Sequence, residues 1–237
     1  ASIAWEEDMA TNTDLVTDSL SSLGLQASDT TYYLDTLTKA QNSSNTSGQQ
    51  LLEAYVGVGG MFKSFNTPLA ESTALLGVLA NRGIKGSEAG EALNSILINL
   101  MGTTSTTEGA LKKLGVSAYD AEGNFRGVET TLRDVSASMK NMTQEQEDLL
   151  SAQLGGKTQV DTLKALLAGL DEEYDSLKAT ISDSTGALEA MYETMSGTTA
   201  GKIETFKSTL EGLGLQIADN LLPHINDLLE AGMSLFK

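Results

Sequence analysis

Residues 76–100 read "LGVLANRGIKGSEAGEALNSILINL", from Leu76 to Leu100. Leu69, Leu75, Leu76, Leu79 and Ala80 recur at helical spacing ahead of Asn81-Arg82-Gly83. Ala89, Leu93, Ile96, Leu97 and Leu100 do so after it. Thr67-Pro68 opens the first helix, because proline at the first helical position loses an N–H that has no partner there anyway. Gly83 suits the left-handed residue that ends it. Ser87 is placed to cap the second helix, with Glu88 and Glu91 near its positive end. The stretch reads as an αα-hairpin with a very short turn. Its small residues Gly77, Ala80, Ala89 and Gly90 are expected to let the two helices come close.

Outward from this hairpin the helical pattern persists. Leu15, Leu20 and Leu23 begin a helix that Gly24 closes, and a second runs from Ser28 or Asp29 to Ala40 with Tyr33, Leu34 and Leu37 on one side. Gln41 to Asn45 read as a loop. Thr46-Ser47-Gly48-Gln49 and Ser105-Thr106-Thr107-Glu108 have the form of capping boxes. The first opens a helix carrying Leu51, Leu52, Tyr55 and Val56 into a glycine cluster at 57, 59 and 60, which permits a kink or a close approach. Val116 to Arg126 switches to alternation around Asp120-Ala121-Glu122-Gly123-Asn124, the signature of a small β-hairpin. Helix resumes from Val128 to Lys140, after Thr143, and from Val160 to Leu170. Ile203, Phe206, Leu210, Leu213 and Ile217 follow spacings of 3 and 4, an a/d seam for self-association or for a partner helix. Pro223 is expected to kink the long amphipathic helix that carries this seam. The fold class is therefore mainly α: short helices and αα-hairpins, one small β-hairpin near 116–126, and a longer C-terminal helix. Three stretches are expected: an acidic helical segment at 1–60, a hairpin core at 61–140, and an acidic helical region at 141–237. The abrupt stop within an apolar pattern at Leu235-Phe236-Lys237 reads as the end of a piece of something longer.

The chain of 237 residues has a formal charge of -17, two prolines and no cysteine. Residues 1–60 hold eight acids and one base, 61–127 six of each, and 128–237 eighteen acids and eight bases. No cluster of Lys and Arg exists to meet a phosphate backbone, which argues against direct nucleic-acid binding. Thiolate metal sites and cysteine nucleophiles are excluded by composition. No window approaches the ~18 consecutive apolar residues of a membrane span.

Candidate chemistry is sparse. His224 is the one histidine and there is no cysteine, so no His-His metal site and no cysteine–histidine pair can be built. The Asp120 loop lacks the sixth-position glycine of a calcium loop and has Thr131 where the twelfth-position glutamate belongs, so it reads as a turn. Gly155-Gly156-Lys157-Thr158 has Ser151 where a phosphate loop needs its first glycine. Asp171-Glu172-Glu173-Tyr174-Asp175 reads as a solvated cluster at a helix start. No catalytic, cofactor-binding or metal-binding residue is assigned, no cofactor is expected, and the chain reads as a non-enzyme.

Four segments resemble a known family. Residues 76–100, "SSNTSGQQLLEAY" (43–55), "LKKLGVSAYDAEGNFRGVETTLRDV" (111–135) and "LEGLGLQIADNLLPHINDLLEAG" (210–232) are similar, in the same order, to phage tail tape measure proteins of the TP901-type core region. That resemblance implies a structural protein of the virion, in the tail-tube lumen, made in the host cytoplasm. It implies roles in tail length determination, tube assembly and ejection. The implied partners are the tail tube protein, tail assembly chaperones, tail-tip or baseplate proteins and further copies of the chain, with host membrane contact through the C-terminal segment. The alternatives are the tape measure of a phage-derived bacteriocin, and a helical binding or membrane-active module unrelated to tails. A helix advances ~1.5 Å per residue and makes a natural ruler. The capping boxes and tight turns here describe a folded region instead.

Overall fold

The computed structural model describes Trp5 and residues 9–197. Among these residues lie eleven α-helices and a single 3₁₀ turn at Ala27–Asp29, with no strand. In chain order the helices are α1 (Met9–Leu23), α2 (Thr30–Ser43), α3 (Gly48–Ser64), α4 (Leu69–Asn81), α5 (Gly86–Leu100) and α6 (Ser105–Leu114). They continue as α7 (Val128–Met139), α8 (Gln144–Gly155), α9 (Val160–Ala168), α10 (Glu172–Ser182) and α11 (Ala187–Ser196). The seam of Ile203, Phe206, Leu210, Leu213 and Ile217, and the C-terminal helix with its bend at Pro223, lie outside the described residues.

The mainly α expectation holds, and the way the helices pair departs from it. α4 and α5 are joined by the predicted short turn, in which Gly83 takes φ +86°. Yet they touch little, and α5 lies along α3 instead. The small residues serve that second contact. A Cβ on Gly90 would stand 2.3 Å from the carbonyl oxygen of Ala54, and one on Gly57 would stand 3.4 Å from the backbone of Glu91. The other side of α3 receives α1, where a Cβ on Gly59 would meet the Ser22 hydroxyl at 2.1 Å. The glycine cluster therefore neither kinks nor ends α3, which runs on to Ser64. It lets one helix be gripped from two sides, at a propensity cost of ~1 kcal/mol per glycine. Val56 falls between the two contacts and is 45% exposed.

The core surrounds α3. Tyr33, Tyr55 and Phe62 meet edge to face, with centroids 5.7 and 6.1 Å apart, the arrangement their ring quadrupoles favour. The buried Tyr55 hydroxyl is shared with Ser72 at 2.8 Å and Thr73 at 2.6 Å on α4. Trp5 covers Gly48, and its indole N–H donates to the buried Thr38 hydroxyl at 3.0 Å. On the far side, α10 packs against both α2 and α4, and α11 lies on α2. Helices from all parts of the described chain thus share one set of contacts.

Two capping boxes sit one residue from their predicted places. Ser47 caps α3 with Gln50, while the Thr46 hydroxyl turns to the Gln50 amide oxygen at 3.3 Å. Thr104 caps α6 with Thr107, a hydroxyl doing the work expected of Glu108. Thr143 and Gln146 form the box at α8 as the sequence implies. Pro68 stands just before α4 rather than in its first turn. Ser87 does not cap α5, which begins at Gly86 with no side-chain cap.

The hairpin at 116–126 is corrected to a loop closed by a single antiparallel bridge between Tyr119 and Phe125. Its backbone bonds are Asp120 N–H to Asn124 O and Arg126 N–H to Ala118 O, each 2.9 Å, and Gly123 N–H to Asp120 O at 3.2 Å. On the turn side of this bridge the Asp120 carboxylate takes the N–H groups of Glu122 and Asn124 for itself, a local competition typical of aspartate. Hydrogen bonds from the Asn124 backbone hold the Asp120 carboxyl below its usual range. Phe125 stacks on Phe65 at 4.1 Å, which ties the loop to the end of α3.

Candidate functional site

The charged residues of α4, α7 and α10 meet in one polar joint. Glu71, in the first turn of α4, accepts the Glu129 backbone N–H at 3.0 Å and so satisfies an orphan donor at the start of α7. The Glu129 carboxylate in turn receives Arg133 at 3.0 Å, Lys178 at 2.5 Å and the Tyr174 hydroxyl at 3.1 Å. Arg133 also reaches Asp175 at 2.5 Å and the Leu170 carbonyl at 3.1 Å. Its guanidinium stands 5.1 Å from the centre of the Tyr174 ring, and the Lys178 ammonium 5.6 Å. Tyr174 is fully buried between the two cations, where the face of its ring is attracted to both.

Burial raises the Glu71 carboxyl above its ordinary range, and the neighbouring Glu129 charge adds to this. Burial pushes Glu129 the same way, but hydrogen bonds from Lys178 and Arg133 outweigh it, and its net shift is downward. Burial pushes the Tyr174 phenol well up, assisted by Glu71 and Glu129. Two adjacent carboxylates with opposed shifts can serve acid–base chemistry in an open cleft. Here the joint is filled by its own side chains, and it fastens helices.

The acidic run at 171–175 is only in part the solvated cluster expected from its sequence. Asp171 caps α10 by accepting the Glu173 N–H at 3.1 Å. Glu173 pairs with Arg82 at 2.8 Å and receives the Asn81 amide at 2.9 Å, while Asp175 pairs with Arg133. A second clasp was not legible in the sequence. Asp35, buried on α2 at 5% exposure, accepts the N–H groups of Gly186 and Leu188 at 2.9 Å each and so holds the start of α11.

Two concave surfaces among the described residues differ in their lining. A groove of about 660 Å³ runs between α1 and the start of α2, lined by Val16, Leu20, Leu25 and Leu34. A smaller cleft of about 230 Å³ holds Lys140, Glu147, Lys164 and Asp171, with Lys164 engaged by Asp148 and Glu147. Among the described residues no group of three or more His, Asp or Glu side chains is arranged to hold a metal ion. No described helix is long and apolar enough to cross a membrane.

A family model described as phage-related minor tail protein matches residues 1–156. The chain belongs to the phage-related minor tail protein family. The match takes in α1 to α8, the gripped helix α3, and the Glu71, Glu129 and Arg133 half of the polar joint. That family description does not carry the TP901-type assignment made from the motifs.

Two relatives extend over nearly the whole chain. It is 28% identical over 224 residues, 94% of its own length, to the "Tape measure protein" of Pneumococcus phage Dp-1. It is 25% identical over 220 residues, 92% of its length, to the "Probable tape measure protein" of Escherichia phage P2. The matched region is 20% of the first relative and 27% of the second, so the chain spans about a fifth to a quarter of the proteins it is similar to. No solved structure matches it.

Proposed function

We propose that this minor tail protein chain is a folded portion of a phage tail tape measure protein, with a structural and non-enzymatic role in the tail. The observation that carries this is the similarity of over nine-tenths of the chain to two proteins named as tape measures, both from phages. The phage source of both favours a phage over a bacteriocin. The residues that resemble the TP901-type core belong to the same reading.

Within the parent protein this region is assigned to packing in the tail lumen or to docking at one tail end, not to measurement. Its longest described helix, α3, has 17 residues, a rise of about 25 Å. Polar clasps and buried rings join helices that a ruler would lay end to end. The tail tube protein, assembly chaperones and tip proteins are the natural partners of such a region. Self-association through Ile203, Phe206, Leu210, Leu213 and Ile217 would bring copies of the chain together along the tube, and the segment 210–236 is the candidate for membrane contact at ejection.

An in-frame deletion of residues 9–197 from the parent phage tests the tail role. The expected outcome is loss of infectivity, with either no tails in lysates or assembled tails that fail to deliver DNA. Normal, fully infectious virions would overturn the proposal.

A further inference from the structure

The last described helix is attached differently from the other ten. α10 is anchored by the buried Tyr174, Leu177 and Ile181. α11 buries no residue fully, and among the described residues its Leu188 and Met191 lean on the core. Its contacts with α2 are mainly polar and gather at its first turn. Both oxygens of the Asp35 carboxylate are used there, one on the Gly186 N–H and the other on the Leu188 N–H. The Thr36 hydroxyl meets that of Ser184 at 3.3 Å beside it, and Ser184 is itself buried. Farther along, the Gln41 amide reaches the Met191 sulfur at 3.8 Å, a weak contact.

From this we infer that α11 is a latch: a unit that opens from α2 as a whole while the packing around α3 stays intact, with Asp35 as its catch. Three physical points lead there. Charge-assisted bonds from a carboxylate to backbone N–H groups are strong but few, so their loss frees the helix at one step. The chain turns sharply into the latch at Gly186, which takes φ +76°, just after the buried Ser184. A helix of ten residues does not persist alone in water, so opening also unwinds it, and its amides become exchangeable. The side of α2 beneath it, with Asp35, Thr36 and Gln41, is then uncovered. The latch joins the packed domain to whatever chain follows residue 197, and tension on that chain would reach Asp35 before the core. It does not depend on the tail role.

Hydrogen–deuterium exchange of the full chain, read by mass spectrometry, tests this. In the wild type, amides of 187–196 should exchange at least about tenfold faster than those of α3 and α5. Asp35→Asn, which keeps the shape but can accept only one of the two N–H groups, should speed exchange in 186–196 by a further factor of about ten and leave α3 and α5 unchanged. Thr36→Val should act in the same place and more weakly. Equal protection of α11, α3 and α5 in the wild type would overturn the latch, and this comparison decides the matter even if Asp35→Asn fails to fold. Faster exchange in every helix of the variants would overturn it too.

Discussion

Gly90 shows why a residue that looks like a helix fault can be a packing requirement. Its missing Cβ leaves room for the Ala54 carbonyl, and the neighbour is backbone that cannot step aside. Gly90→Ala is expected to destabilise the fold by about 1–3 kcal/mol, the range for overpacking a tight contact. Gly60, three residues beyond Gly57 on the same helix, has nothing within 4 Å of where a Cβ would go. Gly60→Ala should therefore stabilise by up to about 1 kcal/mol, because only the helix propensity changes. Denaturant unfolding of the two variants reads both signs. Opposed signs also govern the polar joint. Glu129 titrates below its ordinary value of 4.5, so it contributes stability that is present above that pH and is lost as pH falls through the lower native value. Glu71 titrates above 4.5. Its contribution is present below that pH and is lost as pH rises through the higher native value. Glu129→Gln should cost about 1–2 kcal/mol at pH 7 and flatten the acid limb of a plot of Tm against pH. Glu71→Gln keeps the acceptor for the Glu129 N–H and should leave Tm at pH 7 unchanged or higher.

At the scale of elements, the sequence was most legible where local chemistry decides alone. Thr143 with Gln146, Gly24, Gly83 and Gly115 all do what their positions imply, because a cap or a left-handed glycine answers to its neighbours in the chain. The shifted boxes at Ser47 and Thr104 mark the limit of that legibility, since adjacent hydroxyls can each accept and only the final register chooses. The loop at 116–126 marks another, because the Asp120 side chain holds the N–H groups of its own turn. What periodicity could not show was partner choice. The small faces of α4 and α5 fit a hairpin as well as they fit the α3–α5 contact that forms. Nor does a single aspartate in a helix full of threonines announce Asp35 as the catch for residues 150 positions away. The seam at 203–217 lies outside the described residues, and its test is direct. If it joins copies of the chain, Leu210→Asp should lower the mass seen by sedimentation velocity toward that of a single chain of 25.0 kDa. An unchanged mass would count against it.

At the scale of the whole molecule, the family match ends at residue 156, while the packing runs on. α10 supplies Tyr174 and Lys178 to the joint with Glu129 and fills the space between α2 and α4. A chain ending at residue 156 would uncover the faces of α2 and α4 on which α9, α10 and α11 lie and leave Glu129 without two of its three partners. On the proposed reading these interlocks mark a folded tail component rather than a measuring rod, and tail length itself decides between them. The direct measurement is the length of tails, by negative-stain microscopy, from phage whose tape measure carries residues 9–197 twice in tandem. A folded, non-measuring region leaves tails at wild-type length, whereas tails longer by about 280 Å, the helical rise of the added residues, would contradict the account.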